Sequence, residues 1–194
     1  MFIVIEGPDG SGKTTISKLL VEKLKEAGFK ARYTSEPTTS DYGKQLRKML
    51  SDSSSTPKSL YDLFVLDRIE HLKEIAEWEK DGEIVISDRY KYSTYCYQVS
   101  HGLDPELTAD NNVLRTPDVA LILTTDVDVL LSRIESRALN KEIYETRAFL
   151  EKITKMYSRL PEIFGERFHY IDVNDTIESI LSKAYGIIKA EGNL

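Results

Sequence analysis

The run Gly7-Pro8-Asp9-Gly10-Ser11-Gly12-Lys13-Thr14 limits what this chain can become more than any other stretch. It satisfies G-x-x-x-x-G-K-[ST], a pattern with physical meaning only between a strand and a helix. Both flanks are present. Residues 2–6 (Phe2, Ile3, Val4, Ile5, Glu6) form an apolar run of strand length, and Ile16, Leu19, Leu20, Val21 and Leu24 recur at helical spacing before Gly28. In that context the loop's backbone N–H groups converge on phosphate oxygens at a helix N-terminus. Gly7, Pro8, Asp9, Gly10, Ser11, Gly12, Lys13, Thr14 and Thr15 are therefore the expected nucleotide-phosphate contacts, with Lys13 on the β- and γ-phosphates and Thr14 on Mg²⁺.

Further apolar runs are expected as strands at residues 30–34, 83–87, 119–123 and 168–171, alternating with helical segments. Thr56 and Pro57 read as N-cap and first residue of a long helix that ends before Gly82 and carries Phe64 and Arg68. Five strands separated by helices imply an α/β fold: a three-layer P-loop NTPase architecture with a five-stranded parallel sheet and helices on both faces. One domain over residues 1–194 is expected, with 133–147, a charged segment poor in apolar anchors, as a short helical lid.

Composition excludes several function classes. A net charge of −6 argues against a surface that coats nucleic acid, while leaving room for a small basic phosphate pocket. The single cysteine, Cys96, rules out an internal disulfide framework and a cysteine zinc cluster, which fits the cytoplasm. The opening MFIVIEG is too short for a membrane span and lacks the marks of a signal peptide, so no membrane association is expected. His71, His101 and His169 suggest no metal-ligand cluster.

The run at 83–87 delivers Asp88 and Arg89 to a strand's carboxyl end, where open α/β sheets hold ligands. Asp88 is expected to orient magnesium-bound water, and Arg89 to neutralise phosphoryl oxygens. Phe64 and Arg68 lie one helical turn apart on one face.

The string Asp88-Arg89-Tyr90-Lys91-Tyr92-Ser93-Thr94-Tyr95-Cys96-Tyr97-Gln98 closely resembles the thymidylate kinase signature D-R-Y-x-x-S-T-x-A-Y-Q. Further matches are IVIEGPDGSGKTT, Glu36-Pro37, Gly43-Lys44-Gln45-Leu46-Arg47, Phe64-x-x-x-Arg68, Pro117-Asp118 and Tyr170-Ile171-Asp172. The resemblance spans essentially the whole chain. It implies ATP as phosphate donor, Mg²⁺, dTMP as acceptor and a homodimer. By this resemblance Phe64 stacks on thymine, Arg68 bonds the base, and Arg47 and Arg89 hold the dTMP phosphate. Asp9 accepts from the sugar 3′-hydroxyl, Tyr97 packs where a ribose 2′-hydroxyl would sit, and Gln98 reaches the base or nearby water. Ser93 joins the substrate contacts. The catalytic set is then Lys13, Arg89, Asp9 and a lid arginine, Arg137, with Thr14 and Asp88 at the metal.

Some relatives carry an arginine in the loop where this chain has Gly10, and the resemblance then assigns the charge to lid arginines: Arg133, Arg137 or Arg147. Departures are Cys96 for a small residue, Thr124 for an acidic one, and Ile143-Tyr144-Glu145 without the usual preceding arginine. The expected reaction is in-line transfer of the γ-phosphate of MgATP to dTMP. A kinase for another deoxynucleoside monophosphate, or a nucleotide-binding switch, would share the loop, though no Asn-Lys-x-Asp motif supports a GTPase switch.

Overall fold

The computed structural model describes residues 1–52, 54–108, 114–136 and 146–194. Strand β1 (Phe2–Glu6) is buried at all five positions, as an apolar run in a sheet covered on both faces should be. Its side chains alternate. Ile3 and Ile5 join the core beneath α1 (Lys13–Glu26) and α8 (Ile177–Gly192), while Phe2 and Val4 face the opposite core. The strands β2 (Ala31–Ser35), β3 (Ile84–Asp88), β4 (Val119–Thr124) and β5 (His169–Asp172) complete one all-parallel sheet ordered β2-β3-β1-β4-β5.

The expected strands are present, with starts or ends shifted by one residue in all but β1. Helix α3 (Pro57–Lys80) starts as expected, with Thr56 Oγ1 accepting from the Ser59 N–H. It covers the second face with α4 (Lys91–Ser100), α6 (Arg147–Ser158) and the short α7 (Leu160–Phe164), which the sequence reading did not anticipate. The expected lid interval 133–147 divides. Arg133 belongs to α5 (Val127–Glu135), Arg147 opens α6, and residues 137–145, with Arg137, Ile143, Tyr144 and Glu145, lie outside the described residues. No helix among the described residues is long and apolar enough to cross a membrane.

β1 lies between β3 and β4, so the order reverses at the carboxyl ends of the central strands, where a crevice opens. One wall comes from α2 (Asp41–Leu50), packed on α3. The buried Asp67 of α3 holds the preceding turn, accepting from the Thr38 N–H (2.8 Å), Thr38 Oγ1 (2.5 Å) and Ser40 Oγ (2.6 Å). Ser40 in turn caps α2 by accepting from the Gly43 N–H at 3.0 Å. Gly43 is there because nothing larger fits: a Cβ would stand 1.9 Å from the Thr38 carbonyl oxygen.

Gly43→Ala is thus expected to destabilise the fold by about 1–3 kcal/mol through overpacking against backbone. That lowers Tm by roughly 2–10 °C. The neighbouring exposed Lys44→Ala should remain within about 0.5 kcal/mol of the parent in the same denaturant titration.

Candidate active site

The loop from Gly7 to Gly12 joins β1 to α1 at the crevice. Lys13 is buried and folds back over the loop, its Nζ donating to the carbonyls of Gly7 (2.9 Å) and Pro8 (2.7 Å). Thr14 and Thr15 face out at the start of α1. Thr14 Oγ1 donates to Asp88 Oδ2 at the end of β3, and Asp88 Oδ1 is buried with no partner among the described residues. A hydroxyl beside a carboxylate with a spare oxygen is a hard-donor set that suits Mg²⁺ when substrate phosphates supply the remaining ligands.

Gly10 has φ +85°, and a Cβ there would stand 2.8 Å from the Leu130 carbonyl oxygen of α5. The absence of a loop arginine is therefore matched by packing: helix α5 occupies the space in which such a side chain would begin.

Arg89 is the hub of the site. Its backbone has φ 77°, a left-handed conformation that costs a non-glycine residue on the order of 1–2 kcal/mol. Hydrogen bonds hold it there: Arg89 N to Ile5 O at 3.0 Å and Ser87 Oγ to Arg89 O at 2.8 Å. Glu6, fully buried at the end of β1, completes the hold. Its Oε1 accepts from the N–H groups of Tyr90 (2.7 Å) and Ser93 (3.0 Å), and its Oε2 from Ser93 Oγ (2.5 Å) and Tyr157 Oη (2.9 Å). A carboxylate from β1 thus caps the N-terminus of α4, where Tyr90 supplies no side-chain cap of its own. Burial raises the Glu6 pKa, against these hydrogen bonds and the charge of Arg89.

The Arg89 guanidinium pairs with Asp9, bonds Ser93 Oγ at 3.0 Å and lies 5.3 Å from the centre of the Tyr97 ring. Tyr97 Oη donates to Asp9 Oδ2 at 2.7 Å and accepts from the Asp9 N–H at 3.1 Å. Burial alone would raise the Asp9 pKa, but the charges of Arg89 and Lys13 hold it at about 2. Its carboxylate already takes Arg89 and Tyr97, so any contact to a sugar hydroxyl shares those partners.

Beside Arg89 opens a cavity of about 310 Å³ whose walls include Phe64, Arg68, Tyr97 and Gln98. Arg68 is fully buried. Its Nε and Nη2 donate to Glu36 Oε2 at 2.8 and 2.6 Å, and Nη2 to Thr94 Oγ1 at 2.7 Å. Nη1 of Arg68 and Oε1 of Gln98 are buried without partners among the described residues. Arg47 also lines the cavity, with its guanidinium donating to the carbonyls of Thr38 and Pro37, both at 2.6 Å. Away from this pocket, Arg133 donates to Val173 O (3.0 Å) and reaches the Gly10 carbonyl (3.5 Å). Arg147 pairs with Asp128 on the surface.

Sequence reasoning gave no role to Glu6, Thr94, His71 or Tyr157, and noted Glu36 only as part of Glu36-Pro37. Two of them, Glu6 and His71, carried a sequence signal. Glu6 is a lone charge at the end of an otherwise apolar buried strand, and His71 lies one turn beyond Arg68 on α3.

Burial, then the charge of Arg89, lowers the Lys13 pKa from 10.5 to about 8. In the nucleotide-free protein the unfolded chain binds the extra proton between about pH 8 and 10.5, so this group makes stability rise with pH across that window. A polyphosphate beside Nζ reverses the shift. Nucleotide binding is expected to take up about half a proton near pH 8 and almost none near pH 6.5. Calorimetry in buffers of different ionisation enthalpy reads the difference; buffer-independent heats at pH 8 would contradict it.

The profile of the thymidylate kinase family matches residues 5–184. A probable thymidylate kinase of Methanococcus vannielii is 39% identical over 180 residues, 90% of this chain and 87% of that one. The thymidylate kinase of Brachyspira hyodysenteriae is 34% identical over 190 residues, 96% and 92% of the two chains. The solved structure of Candida albicans thymidylate kinase superposes with a TM-score of 0.81 over 99% of this chain and 92% of that one; at 23% identity it bears on the fold. With loop, hub and cavity joined at the sheet's switch point, and with a match running through most of its length, the chain belongs to the thymidylate kinase family.

Proposed function

We propose that this protein transfers the γ-phosphate of MgATP to dTMP, forming dTDP and ADP by in-line displacement. The observation that carries the reading is the adjacency of a base-sized cavity, floored by Phe64 and the spare N–H donors of Arg68, to a phosphate-binding loop, with Arg89 between them. The family relationship favours this reading over a nucleotide-binding switch.

In this reading the 7–15 loop cradles the ATP phosphates, Lys13 leaves its loop carbonyls for the β- and γ-oxygens, and Thr14 and Asp88 hold Mg²⁺. The metal supplies charge neutralisation along the donor phosphates. Phe64 stacks on the thymine ring, and Arg68 Nη1 and Gln98 meet the base edge. Arg89 and Arg47 hold the acceptor phosphate, with Ser93 orienting Arg89. Asp9 accepts from the 3′-hydroxyl, and Tyr97, tied to Asp9, fills the space a 2′-hydroxyl would need. The acceptor phosphate is already anionic near neutral pH, so positioning and charge neutralisation matter more than a general base. Arg133, beside the loop, belongs to the ATP side, and Arg137 is the proposed lid contact to the transferred group.

A homodimer is part of the proposal. On α2 and α3, Tyr42, Leu66 and Ile69 are 38%, 43% and 40% exposed, apolar side chains that a second copy would cover. The buried single cysteine suits the cytoplasm.

A coupled ADP-release assay with MgATP and dTMP, dUMP, dCMP, dGMP or AMP tests the activity. Turnover should favour dTMP, and Lys13→Ala should lower kcat at least about a hundredfold. Turnover with another monophosphate in preference to dTMP would overturn the base assignment, and no turnover with any acceptor would overturn the catalytic reading.

A further inference from the structure

From Glu36 in the cavity wall, a chain of polar groups that the proposed phosphoryl transfer does not use runs back through buried His71 to half-buried Thr34. Thr34 Oγ1 of β2 is 2.7 Å from His71 Nε2, and His71 Nδ1 is 3.1 Å from Glu36 Oε1. Glu36 Oε2 takes both Nε and Nη2 of Arg68. The side chains of His71, Glu36 and Arg68 are 0%, 1% and 1% exposed. An ionised carboxylate only accepts, so the ring proton facing Glu36 sits on Nδ1, and in the neutral ring Thr34 donates to Nε2. Trp78 packs edge-on against the imidazole at 6.2 Å.

The donor count shows what this achieves. Arg68 has five N–H bonds; Glu36 and Thr94 engage those on Nε and Nη2, and only the Nη1 pair is left, on a residue that lines the cavity. Thr94 holds Nη2 as well, but both bonds to Glu36 run to one carboxylate oxygen, so the Nε edge of the guanidinium follows any rotation of that carboxylate. Bonding the second oxygen to His71, itself fixed by Thr34, stops the carboxylate from rotating.

We infer that Glu36 and His71 are positioning residues for base selection, acting through Arg68 to keep its Nη1 donors aimed at a carbonyl on the pyrimidine edge. The inference rests on the reading of the cavity as the dTMP base site. Fixed donors there donate to the carbonyl of thymine and oppose the amino group of cytosine, because two sets of N–H bonds would face each other without an acceptor. A loosened guanidinium can turn aside, and discrimination falls with it.

The test measures kcat and KM for dTMP, dCMP and ATP in the full-length protein and its variants. His71→Leu keeps bulk but removes both ring nitrogens. It should raise KM for dTMP about tenfold and lower the dTMP-to-dCMP ratio of kcat/KM about tenfold. Its kcat should stay within about twofold and its KM for ATP should not move. His71→Asn, whose amide nitrogen stands near the place of Nδ1, should restore both quantities to within about threefold of wild type. Thr34→Val, which leaves the ring intact, should shift them in the same direction by less, and serves where His71→Leu melts below the assay temperature. If wild-type enzyme prefers dTMP and His71→Leu keeps that preference and KM, the positioning role is wrong while the base site stands. Equal loss in Leu and Asn variants, spread over kcat and both KM values, would likewise reduce His71 to a structural residue. A wild-type enzyme without preference for dTMP over dCMP overturns the base site and this inference together.

Discussion

Everything at this site depends on holding one positive charge, Arg89, in a backbone conformation it would not choose. The left-handed turn at Arg89 ends β3 and redirects the chain into α4, so its guanidinium projects between the phosphate loop and the base cavity. Glu6 makes this stable by bonding the N–H groups of Tyr90 and Ser93 from the neighbouring strand, which ties β1, α4 and α6 to one carboxylate. Asp9 then balances the guanidinium from the loop side. Loop, hub and cavity are consequently linked electrostatically: burial and then the charge of Arg89 lower the Lys13 pKa, while the charges of Arg89 and Lys13 lower that of Asp9 against its burial.

Because Arg89 is engaged by Asp9 and Ser93 before any phosphate arrives, the site is organised ahead of binding. Lys13 and Arg47 are in a different condition, resting on backbone carbonyls that an anionic phosphate readily outcompetes. The combination suits the proposed phosphoryl transfer: the central charge is held by side chains, and the peripheral charges rest on main-chain carbonyls, from which the proposed substrates' phosphates would draw them.

Much of this was legible in the sequence for a physical reason. Parallel strands buried on both faces must be apolar runs, so β1, β3 and β4 announced themselves, and the loop's glycines and lysine carry their geometry in their spacing. Phe64, Arg68, Arg89, Tyr97 and Gln98, spread over 35 positions of the chain, line one cavity. What stayed hidden were contacts between residues far apart in the chain. Glu6 and Tyr157 are separated by 151 positions, and no local period links Thr34, Glu36 and His71. Sequence also showed Gly10 only as a missing arginine; the close approach of α5 gives the steric reason.

The central claim is that Arg89 serves the acceptor's phosphate, and direct binding measurements isolate it. Calorimetric titration of dTMP and of thymidine into wild type and Arg89→Met, without ATP, separates phosphate recognition from base recognition. The account predicts that the substitution weakens dTMP roughly a hundredfold, the scale of losing one buried charge partner, while thymidine binds both proteins alike. Equal weakening of both ligands, or unchanged affinity for dTMP, would contradict it.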